Sequence, residues 1–173
     1  MGATNGLVLA AHRPDLVRAL ALADRKVATA GLGTEERYHH WFATWPVPFP
    51  TMAAVREFFG SEWPSYADYF MEVMAEDPDG YRPLFRFVDM LSSCVDWDRR
   101  DYWTELEQVQ CPTLVVKGGV SDAPREQLQE MARRLPNGRY VEVEGAEHVV
   151  HYDRPEAWRR AVESFLLELK LIA

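Results

Sequence analysis

The segment Thr113-Leu114-Val115-Val116-Lys117 constrains the fold more than any other. It shows no apolar–polar alternation, and a short run of this kind is a strand covered on both faces, as in a parallel sheet. Ala123 to Leu135 follows, with Leu128, Met131, Ala132 and Leu135 on one face of an amphipathic helix. Arg139 to Glu144 (RYVEVE) alternates and predicts a second strand. Pro155 to Leu169 predicts a closing helix with Trp158, Val162, Phe165, Leu166 and Leu169 turned inward. Pro155 suits its first turn, and Asp153 or the loop before it is the expected cap. Strand, helix, strand, helix in this rhythm is α/β architecture with right-handed crossovers.

The front of the chain fits the same pattern. Gly6 to Arg13 is rich in helix formers and stops at Pro14, and Leu16 to Ala23 is a short apolar run closing on Asp24. A helix, a Pro-Asp turn and an apolar run suggest an αβ unit. From about Arg25 to Gln110 the character changes to many aromatics, few β-branched clusters, and punctuation at Pro46, Pro48, Pro50, Pro64, Pro78 and Pro83. Helices are expected there at about Thr34–Thr44, Met52–Phe59, Tyr66–Ala75, Pro83–Cys94 and Arg100–Val109, with Ser65 as the N-cap of the third. The expected organisation is therefore core segments 1–24 and 111–173 around a helical insertion, 25–110.

Composition narrows the function classes. At 173 residues with 47% apolar content, the chain can bury a sizeable core. A net charge of -8 disfavours nucleic acid and anionic membrane as partners. No apolar run reaches the roughly 18 residues of a membrane-crossing helix, and no secretion signal is recognisable. Cys94 and Cys111 sit in no metal-ligand spacing. Reduced thiols in a cytoplasmic protein are the simplest expectation, with one disulfide left open.

The chemistry concentrates near the end of the chain. His148 follows a predicted strand and Gly145, in a loop at a strand's carboxyl end, where catalytic groups of open α/β sheets gather. Imidazole is the side chain suited to take a proton from a weak nucleophile near neutral pH. A partner carboxylate must hold its other ring nitrogen. Asp122, just past the TLVVK strand, is the leading candidate, although Ser-Asp before a helix also suits an N-cap. Asp24, at the end of the first apolar run, is the alternative. His148 and His151 at i, i+3 lack a third metal ligand, so no metal is expected.

Taken together, these segments resemble the α/β-hydrolase superfamily, in a capped, esterase- or lactonase-like branch. The carrying stretches are 10–20 (AAHRPDLVRAL), 111–119 (CPTLVVKGG), 133–139 (RRLPNGR), Gly145-Ala146-Glu147-His148 and Asp153-Arg154-Pro155-Glu156. The resemblance implies a partial α/β-hydrolase fold, the C-terminal part of a mostly parallel sheet with a helical cap or lid. It implies acyl transfer to water without cofactor or metal, by a serine nucleophile with His148 as base and then acid. The family's nucleophile elbow, Gly-x-Ser-x-Gly, is absent. By the family's usual helix length the serine would immediately precede Met1, which places Met1 at the oxyanion-hole position. Neighbours in the superfamily use an aspartate there for haloalkanes or epoxides.

The chain as given is therefore expected to be inactive alone. Trp41, Trp45, Phe58, Phe59, Trp63, Tyr66 and Tyr69 suggest a small apolar ester-like substrate, with Trp41, Trp45, Phe58 and Trp63 as lining candidates. His39 and His40 are weaker candidates for substrate contact. Ser92, Ser93, Cys94 and Thr4 are poor replacements for the nucleophile. An open sheet edge would invite the missing N-terminal half or self-association. Two other readings stand beside this one: a non-catalytic binding remnant, and one half of a split hydrolase.

Overall fold

Parallel strands need crossovers, and this chain uses helices for them. The computed structural model describes residues 1–61 and 63–173. The chain divides into two compact units, Met1–Ala28 with Asp101–Ala173, and Thr29–Arg100.

In the first unit, helix α1 (Gly2–His12) leads to strand β1 (Leu20–Ala23). Helix α6 (Trp103–Gln108) precedes β4 (Thr113–Gly118), followed by α7 (Arg125–Arg134), β5 (Gly138–Val143), a single turn α8 (Val150–Asp153) and α9 (Pro155–Glu168). The strands form one parallel sheet in the order β1-β4-β5. Every residue of β4 is buried, Thr113 and Lys117 included, as the absence of apolar–polar alternation leads one to expect. Leu114 and Val116 point to one face and pack with Val143, Ala146, Val150 and Phe165 of α9. Alternation turns Val115 to the other face, where α7 offers the buried Leu128 and Met131. Three parallel strands thus end at one edge, with Ala23 beside Val116 and Gly118 beside Val143.

Only Leu20–Ala23 of the run from Leu16 is strand. Pro14 and Asp15 turn the chain there, Arg13 pairs with Asp15, and Leu16 lies exposed. The N-cap of α9 is Arg154 rather than Asp153.

The second unit holds α2 (Thr34–Ala43), α3 (Met52–Gly60), α4 (Pro64–Met71), β2 (Met74–Asp77), β3 (Gly80–Pro83) and α5 (Phe87–Arg99). Two expected helices are corrected here. The chain leaves helix at Met71, and Met74–Asp77 pairs antiparallel with Gly80–Pro83 instead of continuing α4, while α5 begins at Phe87 rather than Pro83. The reason is turn chemistry: Pro78-Asp79-Gly80 closes a hairpin, with Gly80 at φ 135 against the Phe49 carbonyl, where a Cβ would sit 2.3 Å from its oxygen. Phe49 and Tyr81 then exchange backbone hydrogen bonds of 2.9 and 2.7 Å. Likewise the N-cap of α4 is Trp63, with Pro64 in its first turn, rather than Ser65. Phe42, Trp45, Phe49, Val55, Phe59, Phe70 and Met74 form this unit's own core. Among the described residues no helix is long and apolar enough to cross a membrane.

Cys94 and Cys111 are not disulfide-bonded, and burial pushes the Cys111 thiol up. On β5, Arg125 grips both Glu142 oxygens at 2.6 and 2.8 Å, and the Tyr140 hydroxyl donates to Glu142 Oε2 at 2.9 Å. Burial first, and then the carboxylate that accepts its proton, push Tyr140 up to about 12. Ultraviolet titration is therefore expected to show one tyrosine ionising well above an ordinary phenol, and Glu142→Gln should bring it part of the way back. Because the folded value is the raised one, the associated stabilisation is complete below about pH 10 and fades towards pH 12. In the core, Leu128→Ala removes a fully buried side chain between α7 and the sheet. It should cost about 2–5 kcal/mol in urea unfolding, and a loss under about 1 kcal/mol would show that the helix is loosely seated.

Candidate active site

The carboxyl edge of the sheet gathers the polar groups of the first unit. At the end of β1, Asp24 adopts a left-handed φ of 46, which a short polar side chain tolerates better than most. Its N–H donates to the Val116 carbonyl at 2.7 Å, continuing the ladder one residue beyond the strand. The side chain is turned inward and is 0% exposed. Its Oδ1 accepts from the Gly118 N–H at 2.9 Å and from the Ser121 hydroxyl at 2.7 Å. Its Oδ2 lies 3.0 Å from His148 Nδ1.

The histidine loop is fixed by its backbone. Gly118 ends β4 directly under the Glu147 carbonyl, and a Cβ there would meet that oxygen at 2.2 Å. Gly119 N–H donates to the Val143 carbonyl and Val120 N–H to the Ala146 carbonyl, both at 2.9 Å. Gly145 turns the chain at φ 67 with the Arg154 guanidinium over its Cα. Asp153, expected as a helix cap, instead accepts the Glu147 N–H at 2.6 Å and closes the loop that carries His148.

His148 and Asp24 meet; His148 and Asp122 do not. The expectation that Asp122 partners the histidine is corrected on geometry. The 118–121 turn spends its inward position on Ser121, so the next side chain points outward. Asp122 is 70% exposed, 3.5 Å from Lys26 Nζ, and the N-cap of α7 is Pro124. The imidazole itself is 56% exposed, and the side-chain hydrogen bond it makes runs through Nδ1. Lys117 and Ser121 were not singled out from the sequence. The available signal was a lysine closing an otherwise apolar strand.

Other candidates are placed as follows. Met1 is the N-cap of α1, its carbonyl accepting from the Thr4 and Asn5 N–H groups. Thr4 is buried on α1. Ser92 and Ser93 donate to carbonyls one turn back, and Cys94 is fully buried. Trp45 is corrected as a lining candidate, being only 6% exposed within the second unit's core, edge-on to Trp41 and Phe59. Trp41 and Phe58 are half-buried against that core, and Trp63 is half-buried before α4. His39 and His40 lie edge-on to each other on α2, with His40 Nδ1 2.8 Å from the Glu36 carbonyl. His151 packs on Tyr152 and Trp158. Among the described residues no cluster of three or more His, Cys, Asp or Glu side chains is arranged to hold a metal ion.

An acid just past one parallel strand and a histidine after the last thus face each other at the sheet's carboxyl edge, the end where ligand-binding groups of open α/β sheets gather. The chain belongs to the alpha/beta hydrolase family, which it matches over residues 1–161. It is 36% identical over 104 residues to ABHD14B of Rattus norvegicus, by name a protein-lysine deacylase, covering 60% of this chain and 45% of the rat protein. Among solved structures, E-2-(acetamidomethylene)succinate hydrolase superposes with a TM-score of 0.82 at 25% identity, over 95% of this chain and 63% of that one. An M. tuberculosis esterase (TM-score 0.72, 24% identity) and the enol-lactonase of Burkholderia xenovorans (0.67, 23%) share the fold. This chain covers 95% and 96% of its own length in those two, against 59% and 63% of theirs. It thus spans about half to two-thirds of the length of these relatives.

A side chain at residue 118 is incompatible with this packing. Gly118→Ala should lower stability by about 1–3 kcal/mol in urea unfolding. An unchanged midpoint would mean that the histidine loop is not seated on β4.

Proposed function

We propose that this chain carries the acid–base half of a hydrolase site that transfers an acyl group from an ester, lactone or similar substrate to water. The observation behind this reading is the imidazole of His148, more than half exposed and held at Nδ1 by a buried carboxylate. In the reaction, Nε2 takes the proton of a serine hydroxyl as its oxygen attacks the acyl carbon. The imidazolium returns that proton to the leaving oxygen, and the same two transfers admit water and release the acid. Asp24 keeps the Nδ1–H oriented and stabilises the imidazolium without taking its proton.

In this reading the serine lies outside residues 1–173, on a strand-to-helix turn ahead of α1. β1 is an edge strand among the described residues, which in this reading leaves its open side to the strand that bears the serine. Residues 29–100 serve as the cap insertion. The names of the relatives (deacylase, esterase, enol-lactonase) all describe acyl cleavage, which supports the reaction class. The aromatic rings carry less weight for an apolar substrate, because those of the second unit largely pack on one another.

The test supplies the elbow segment, fused to or mixed with this chain, and follows hydrolysis of a p-nitrophenyl ester. His148→Ala and Asp24→Asn are each expected to lower kcat by about 10³–10⁴. Asp122→Asn, an exposed change, should stay within about two-fold. If Asp122→Asn matched His148→Ala while Asp24→Asn kept full activity, the assignment of the acid would be overturned.

A further inference from the structure

A buried lysine stands directly behind the Asp24–His148 pair. Lys117 is only 3% exposed, at the end of a strand whose other side chains are apolar or hydroxyl-bearing. Lysine is seldom buried to this degree, because desolvating the ammonium is costly unless its protons are all used. Here they are. Nζ donates to the Gly118 carbonyl at 2.5 Å, the Ser121 carbonyl at 3.3 Å and the Ser121 hydroxyl oxygen at 3.0 Å.

The third of these bonds has a directional consequence. A hydroxyl is both donor and acceptor and rotates to suit its neighbours, whereas an ammonium can only donate. With Lys117 donating into Ser121 Oγ, the hydroxyl proton of Ser121 has to go elsewhere. The acceptor in reach is Asp24 Oδ1, at 2.7 Å. That oxygen already takes the Gly118 N–H at 2.9 Å, so two donors occupy Oδ1 and Oδ2 is left to His148 Nδ1. A carboxylate oxygen only accepts, so the proton of the neutral imidazole is drawn to Nδ1 and Nε2 is left as the base.

We propose that Lys117 and Ser121 are positioning residues for the Asp24–His148 pair. Through the one-way chain Lys117 Nζ to Ser121 Oγ to Asp24 Oδ1, they commit Asp24 Oδ2 to His148 and set the histidine tautomer. Neither touches His148, and both act through Asp24. The inference rests on Asp24 and His148 being the acid–base pair of the proposed reaction. The same lysine holds the 118–121 turn by two carbonyls, which is why the turn presents Ser121, and not Asp122, to the carboxylate.

The decisive measurement is the imidazole tautomer of His148, read from long-range proton–nitrogen spectra of the 173-residue chain, at a pH where the ring is neutral. In the wild type the proton is expected on Nδ1. Ser121→Ala removes one hydroxyl and should raise the Nε2–H fraction roughly ten-fold, the effect of losing one charge-assisted hydrogen bond. Ser121→Thr, which keeps the hydroxyl, should restore the wild-type ratio, a rescue that a mere packing role would not produce. Lys117→Met should act in the same direction, because the freed hydroxyl can then turn away. His151 in the same spectra reports whether the loop is intact, and the single-hydroxyl change carries the test if Lys117→Met does not fold. Asp24→Asn separates the two levels. If it shifts the His148 tautomer while Ser121→Ala and Lys117→Met leave it untouched, the positioning role is overturned and the pair stands. If Asp24→Asn also leaves it unchanged, the pair itself is wrong.

Discussion

The Asp24 carboxylate joins three pieces of chain that are otherwise far apart in sequence. It closes β1, receives the N–H of Gly118 at the end of β4, takes the Ser121 hydroxyl from the turn that follows, and meets the histidine of the loop after β5. A buried carboxylate is tolerated when donors occupy its oxygens, and the ends of parallel strands are where unpaired N–H groups are available. The left-handed backbone at Asp24 is held by this surrounding network. Loss of any one donor leaves a charged oxygen partly unsatisfied in a site that water does not reach. The architecture of the edge follows from that constraint.

Glycines make the approach of these pieces possible. Gly118 lets the Glu147 carbonyl lie against the end of β4, and Gly145 takes the positive φ that turns β5 into the histidine loop. Asp153 then ties the far side of the loop to the Glu147 N–H. His148 is consequently positioned by backbone contacts on both sides while its imidazole stays more than half exposed. Support below and access above suit the proton-transfer role proposed for it.

The strands and helices of the first unit were legible because each carries a strong periodic signal. β4 reads as an unbroken apolar run, α7 as a stripe ending in Leu135, and α9 as a helix opened by Pro155. The second unit was less legible. Its aromatics read as substrate lining, whereas most pack on one another, and Met74–Ala75 read as the tail of a helix where the chain forms a hairpin. Tertiary pairing with Phe49 outweighs the local preference there. Trp45 shows the same limit: an aromatic that a sequence offers to a substrate can equally be consumed by its neighbours.

By itself the sequence determined the α/β class, the parallel sheet, and the loop placement of His148, because hydrophobic period and glycine position are local properties. It offered Asp122, and Asp24 as the alternative, as partners for the histidine, and the fold brings Asp24 to it. Which of the two faces the histidine depends on how the 118–121 turn rotates after β4, and that is set by the Gly118 N–H and the Ser121 hydroxyl donating across to Asp24, with Lys117 bracing the turn. Those contacts join residues more than ninety positions apart. A pairing of that separation leaves no trace in local pattern, so only the folded sheet, by bringing the strand ends side by side, could decide it.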